Sequence, residues 1–443
     1  MGDDFGVEYQ SGFGNEHASE AEPGVLPLGQ NSPQRVAHDL YTEQLTGSAF
    51  TVARADAMRT WMYRIRPSVR HVTGLRDIDP GNIRTSPCRE GSPPVAQLRW
   101  SPVDVPSEPC TWLEGLCTLA ANGDAHTQHG AAAHLYFANR SMEDEVFANA
   151  DGEMLIVPQQ GTLRLVTELG TLTVGPAEMA TVPRGVKFRV ELMEAETFGE
   201  AAARGYVCEN YGVPFRLPDP GLIGVDALAM PRDFLYPVAG YEADDRPTRL
   251  VFKQDGRLLE THLPHSPLDV VAWHGNFAPY KYDLRNYCPL GPLLFDHPAP
   301  SIWTLLTSPS ESPGTANVDF VLFRERWAVQ EHTFRPPWYH SNVMSELMGL
   351  VEGTYDAKPV GGFEPGGVSI HNAFLPHGPD IEAYDAGTTA DLEPRRMADM
   401  LAFMFESRYA WIPTAWAADL AELQSDYAAA WSPLDDRSTL RRS

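Results

Sequence analysis

The sequence predicts a mostly β chain, jelly-roll in kind with few short helices, and three observations carry that prediction. The 38 prolines and 36 glycines are spread along 443 positions, as turns between many short strands require. Residues 150–192 hold five apolar runs, MLIVP, TLRLVTEL, TLTVG, MATVP and VKFRVEL, broken by QQG, G, PAE and RG turns. A second block of the same texture runs from about 302 to 412.

Residues 1–45 are rich in Gly, Pro, Asn and Gln with no sustained period, which predicts an extended arm packed against the rest. From Gly47 come SAFTVAR, TWMYRIRPSV and QLRWSPVDV, each of strand type. SMEDEVFANA, residues 141–150, opens on Ser with acidic residues behind it and suits a helix start. Residues 213–290 read as loop-rich, with LPDPGLIG and NFAPYKYDL. In the second block TLLT, DFVLF, ELMGLVEG, VSIHNAF and LAFMFES are strands, and SDYAAAWSPL suits a short helix stopped by Pro433. GEMLIVPQQGTLRL beside SELMGLVEGTYDA is a faint internal repeat, implying two jelly rolls. The boundary near 280–290 is drawn at 285/286: residues 1–285 form the arm and a metal-free jelly roll, residues 286–443 a second one equipped for metal.

Lys and Arg number 34 against 59 Asp and Glu, a net charge of −25, which repels nucleic-acid backbones and anionic lipid. An anionic substrate therefore needs local basic or metal charge. The N-terminus lacks a basic stretch followed by an apolar one, and no window approaches a membrane span; a cytoplasmic protein is expected. Five cysteines with no C-x-x-C pair predict reduced thiols. There is no Walker loop, H-E-x-x-H or G-x-S-x-G, and GFGNEH at 12–17 neither follows a strand nor opens a helix.

Histidine carries the chemical signal. Eight of fourteen (His262, His265, His274, His297, His332, His340, His371, His377) fall in about a quarter of the chain. Two imidazoles and one carboxylate on one face of an ion leave open positions, a set that suits iron and also zinc. His340 and Glu346 would lie ~20 Å apart on a straight strand and roughly 240° apart on a helix. The chain must therefore bend between them, giving His340 from a loop and Glu346 from a strand start. His377, between Pro376 and Pro379, competes with His371, which follows a Gly-Gly turn, for the third place; spacing barely favours His377. Asp296-His297 reads either as an oriented base or as a turn cap.

The chain resembles the homogentisate 1,2-dioxygenase family along nearly its whole length. The strings are YQSGFGNE at 9–16, EQLTGSAFT at 43–51, MPRDF at 230–234, VAWHGNFAPYKYDLRN at 271–286, FDHPAPSI at 295–302, FRPPWYHSNVMSELMGL at 334–350, PGGVSIHNAFLPHGPD at 365–380 and LAFMFES at 401–407. The resemblance implies a cupin-like double jelly roll and Fe(II) held by His340, Glu346 and His377. It implies His297 as the catalytic acid/base, with Tyr355 and His371 lining the substrate pocket beside the ligand His377. It further implies ring opening of homogentisate by O2 to 4-maleylacetoacetate, in a homohexamer built as a dimer of trimers. Ser341, where a basic residue is common, and Asn372-Ala373-Phe374-Leu375, in place of a more polar run, depart from the family pattern.

Overall fold

Short strands, many of them buried along their whole length, build three principal layers that are antiparallel except where Glu145–Asn149 runs parallel to Thr248–Gln254. The computed structural model describes residues 6–193, 202–219, 227–296, 303–355 and 362–434. A nine-stranded sheet runs, in spatial order, Tyr9–Ser11, Phe234–Pro237, Tyr280–Asp283, Glu178–Val182, Glu153–Gln160, Ala203–Asn210, Ala131–Ala138, Leu116–Ala121 and Ile412–Pro413. A seven-stranded sheet holds Gly170–Val174, Thr162–Thr167, Lys187–Met193, Glu145–Asn149, Thr248–Gln254, Arg257–Leu263 and Arg76–Ile78. Trp112 ties the two: its ring meets Tyr136 of the first sheet at 6.0 Å and Phe188 of the second at 5.7 Å. Among the described residues only Ile381–Thr389 and Ala415–Asp419 are α-helical, and none of the helices is long and apolar enough to cross a membrane. The mostly β expectation with few short helices holds.

The layer that matters for the site is a six-stranded sheet ordered Thr304–Pro309, Ala316–Ala328, Arg395–Ser407, Ser345–Gly353, Val368–His371 and Leu98–Trp100. Successive side chains leave a strand on opposite faces. Leu347, Gly349, Phe403 and Phe405 therefore sit on one face, and Glu346, Met348, Met404 and Glu406 on the other. The first face packs on the nine-stranded sheet. Tyr206 lies 4.9 Å from Phe403, edge to face, and its hydroxyl donates to the carbonyls of Leu350 and Gly367 at 2.9 and 3.1 Å. Gly349 is required there, since a Cβ would stand 2.4 Å from the Phe403 ring.

Three sequence expectations are corrected. Residues 141–150 are not helical: Glu145–Asn149 is a strand whose Val146, Phe147 and Ala148 are buried between neighbours, and burial outweighs the capping signal. SAFTVAR, residues 48–54, contains no strand; its last residue opens the 3-10 turn Arg54–Asp56. Within 213–290 the described residues hold more strand than the sequence suggests, with Phe234–Pro237, Thr248–Gln254, Arg257–Leu263, Val270–Gly275 and Tyr280–Asp283 as strands, while most of LPDPGLIG lies outside the described residues. The N-terminal arm is extended and packed, as expected: Tyr9–Ser11 pairs with Phe234–Pro237, and His17–Glu20 with Val270–Gly275.

Candidate metal centre

Three segments deliver three donors to one point. Glu346 is the second residue of the Ser345–Gly353 strand, 5% exposed, facing away from the Tyr206 layer. His340 lies in the irregular run before that strand, and His377 in the loop between Val368–His371 and the Ile381–Thr389 helix. The two loops are zipped by a pair of backbone hydrogen bonds, His340 N to His377 O at 2.9 Å and His377 N to His340 O at 3.0 Å. Residues exchanging both bonds sit directly opposite each other, so the imidazoles come side by side, with ring centroids 4.4 Å apart. Gly378 allows the approach: a Cβ there would meet Tyr339 Cδ1 at 2.7 Å.

Each imidazole is committed to one tautomer. Nδ1 of His340 donates to the Trp338 carbonyl at 2.7 Å, and Nδ1 of His377 to the Leu375 carbonyl at 2.9 Å. Both Nε2 lone pairs are thereby turned toward Glu346, at 4.0 Å from Oε1 for His340 and 3.2 Å from Oε2 for His377. His377 Nε2 is buried and, despite that 3.2 Å approach, makes no aligned hydrogen bond, an orphaned polar atom of the kind that a metal would satisfy. The donor atoms all lie within 4.8 Å of one another. Ligands at ~2.1 Å from a common ion stand about 3–4 Å apart, so the set could hold a metal with small adjustments. Asn342 Nδ2 donates to Glu346 Oε1 at 3.1 Å, fixing the carboxylate from behind.

His371 ends its strand directly opposite Glu346, and its ring stacks on His377 at 4.6 Å. The close group of three donors comprises His340, Glu346 and His377, with His371 alongside. The cross-sheet row continues through Glu406 to Asp319. Burial first, then the neighbouring carboxylates of Glu346 and Asp319, pushes Glu406 up to about 8; burial pushes Asp319 up to about 6. The metal-facing side of the sheet thus carries fewer negative charges than its carboxyl count suggests.

The donors open onto a cavity of about 1160 Å³. Tyr355, Phe323, Met348, Met404 and Trp303 give it apolar walls, and its rim mixes arginines (Arg326, Arg335, Arg395, Arg396) with carboxylates, Arg396 pairing with Glu325. Tyr355 is 8% exposed and packs edge to face on Phe323 at 5.9 Å. Asp296 also lines the cavity, whereas His297 lies outside the described residues. Sequence reasoning did not reach Asn342 or Tyr427. The first stood four residues before Glu346 and could have been suspected as its carboxylate's donor; the second is too distant in the chain to leave a local signal.

A His-Glu-His set that could hold a metal, on the cavity side of a β-sheet, is the kind of site found in metal-dependent enzymes. Family models described as homogentisate 1,2-dioxygenase N-terminal and C-terminal match residues 8–284 and 285–438. A protein from Rhodopseudomonas palustris (strain ATCC BAA-98 / CGA009) named homogentisate 1,2-dioxygenase is 58% identical over 97% of this chain and 94% of its own length. Namesakes from Nitrobacter hamburgensis and Bradyrhizobium diazoefficiens are 57% and 55% identical over the same shares. Among solved structures, an oxalate decarboxylase from Bacillus subtilis is similar at 12% identity and a TM-score of 0.29, over 75% of this chain and 83% of that one. The chain belongs to the homogentisate 1,2-dioxygenase family of oxidoreductases.

Proposed function

We propose that the chain opens the aromatic ring of homogentisate with both atoms of O2, giving 4-maleylacetoacetate in tyrosine and phenylalanine breakdown, with Fe(II) as its cofactor. The observation that carries this reading is the convergence of His340, Glu346 and His377 on the wall of the cavity, in a chain so close to relatives of that name. His340, Glu346 and His377 would hold a ferrous ion, which would supply a redox route between an electron-rich ring and dioxygen.

The chain's own residues do the rest. The Nδ1–carbonyl bonds of His340 and His377 keep each Nε2 as a donor without further reorganisation. Glu346 offsets part of the charge of a divalent ion. Tyr355 and His371 line the ring's site, and the apolar walls exclude water from it. His297 takes a substrate hydroxyl proton and later returns it, a task suited to an imidazole near neutral pH.

A homohexamer, a dimer of trimers, suits the exposed apolar side chains that line the cavity, Leu290, Leu293 and Trp327, which a neighbouring subunit would cover. A reducing cytoplasm suits five cysteines that form no disulfide. The test is oxygen uptake after anaerobic Fe(II) loading, with homogentisate and with gentisate in parallel. Uptake with homogentisate that is lost in His340→Ala is expected; uptake no greater than that variant's rejects the proposal, and preference for gentisate moves the substrate.

A further inference from the structure

The side of His371 remote from Glu346 is held by a residue 56 positions later in the chain. His371 Nε2 lies 2.8 Å from the hydroxyl of Tyr427, in the 3-10 turn Tyr427–Trp431. Its Nδ1 lies on the metal side, 3.8 Å from Glu346 Oε2, and both residues are buried, His371 at 0% and Tyr427 at 2% exposure. Tyr427 is itself fixed. The Arg99 guanidinium lies 4.2 Å from its ring centroid, and Trp431, 5.2 Å away, donates its indole N–H to the Pro379 carbonyl, two residues past His377.

Two hydrogen arrangements fit a hydroxyl facing a nitrogen of a neutral imidazole. If Tyr427 accepts, the His371 proton sits on Nε2 and a bare Nδ1 lone pair confronts the Glu346 carboxylate, a repulsive pairing in a buried site. If Tyr427 donates, the proton sits on Nδ1 and the N–H dipole points at the carboxylate, which is attractive. Burial pushes the phenol's pKa upward, consistent with a hydroxyl that keeps its proton.

We propose that Tyr427 is a positioning residue of the metal centre: by donating to Nε2 it fixes the tautomer of His371, which aims Nδ1–H at the Glu346 carboxylate and holds its ring against His377. The inference rests on the metal-centre reading above. At 3.8 Å the Nδ1 contact is too long for a hydrogen bond, so its effect is to orient the carboxylate and ring by charge and stacking. Supporting groups behind metal ligands commonly change affinity about 10–100-fold when removed.

Tyr427→Phe keeps the ring between Arg99 and Trp431 and removes only the hydroxyl. The readouts are the Fe(II) dissociation constant of the full-length protein, by anaerobic chelator competition, and the unfolding temperature of the metal-free protein. The expected result is affinity lowered roughly tenfold or more, with metal-free unfolding unchanged and no further loss when Tyr427→Phe is added to His371→Gln. An affinity equal to the parent's, additive losses in the double variant, or a loss matched by a lowered metal-free unfolding temperature would each overturn it. A parent protein that binds no Fe(II) defeats the metal-centre reading itself; a parent that binds, beside an unchanged Tyr427→Phe, defeats this inference alone.

Discussion

Asn342 offers the cleanest perturbation of the centre that leaves every donor in place. Its side-chain N–H donates to Glu346 Oε1 at 3.1 Å, while its carbonyl oxygen accepts from Met344 N at 2.5 Å. Its backbone carbonyl separately receives Phe374 N at 2.9 Å, so the loop-to-loop tie survives a side-chain change. Asn342→Ala frees the carboxylate to rotate, and removal of such a support lowers metal affinity about 10–100-fold. With free Fe(II) at about one hundred times the parent dissociation constant, binding adds ~2.7 kcal/mol to stability. A tenfold weaker site adds ~1.4 kcal/mol and a hundredfold weaker one ~0.4 kcal/mol at the same concentration. Asn342→Asp is the sharper control, because it sets a second carboxylate against Glu346 and should weaken binding beyond the alanine variant. Chelator competition measures the affinities, and unfolding with and without metal measures the stability difference. Dissociation constants within about twofold of the parent for both variants would refute the reasoning that this hydrogen bond shapes the site, since its least expected effect is about tenfold.

Gly349→Ala should lose about 1–3 kcal/mol of stability from overpacking, because its Cβ has no room beside Phe403 and Tyr206; urea unfolding of the metal-free protein checks it, and no loss would mean that the layers separate freely. Lys253 is 1% exposed and holds Glu209 at 2.6 Å and Asp151 at 2.8 Å. Lys253→Met leaves both carboxylates without their cation and should cost about 3–5 kcal/mol at pH 7, read by the same unfolding assay. The network also sets an acid limit. Burial works to raise the Glu209 carboxyl, but Lys253 and the His134 hydrogen bond overcome it and hold it at about 2, below the unfolded value of 4.5. A depressed carboxyl stabilises above the unfolded value, so this contribution falls away as pH drops from 4.5 toward 2, and the gap between parent and Lys253→Met should narrow over that range. A constant gap would remove Glu209 as the titrating group.

The grouping of His340, Glu346 and His377 was legible as a candidate because histidine and glutamate are common metal-ligand types and the 340–346 interval required a bend; the structure brings their donor atoms within 4.8 Å of one another. His371 and His377 could not be separated by spacing, since the distinction lies in pairing: His377 is zipped to His340, whereas His371 is opposite Glu346 with its Nε2 engaged by Tyr427. The Ile381–Thr389 helix was missed although Asp380 caps it, accepting from Ala383 N at 2.8 Å; a nine-residue helix between turn-rich flanks shows too little apolar period to register. The strands within 213–290 were hidden by polar turns, and their burial comes from neighbours far away in sequence, such as Glu145–Asn149 beside Thr248–Gln254.

That long-range dependence reaches the metal centre. Leu98–Trp100 is the edge strand beside Val368–His371, so the sheet bearing Glu346 and His371 is completed by residues from the first quarter of the chain. The C-terminal segment closes the same ring of contacts. Trp411 N donates to Asn372 Oδ1 at 2.8 Å and its indole N–H to the Ser345 carbonyl at 3.3 Å, next to Glu346. Ile412–Pro413 then pairs with Leu116–Ala121, and Trp100 donates to the Ala417 carbonyl at 2.8 Å. Residues 286–443 therefore carry all three donors and five of the sheet's six strands, while the sixth strand and part of the core behind the sheet come from earlier in the chain. The N-terminal side thus supports the sheet that bears Glu346: Leu98–Trp100 pairs along the outer edge of Val368–His371, and Tyr206 packs against Phe403 on the opposite face.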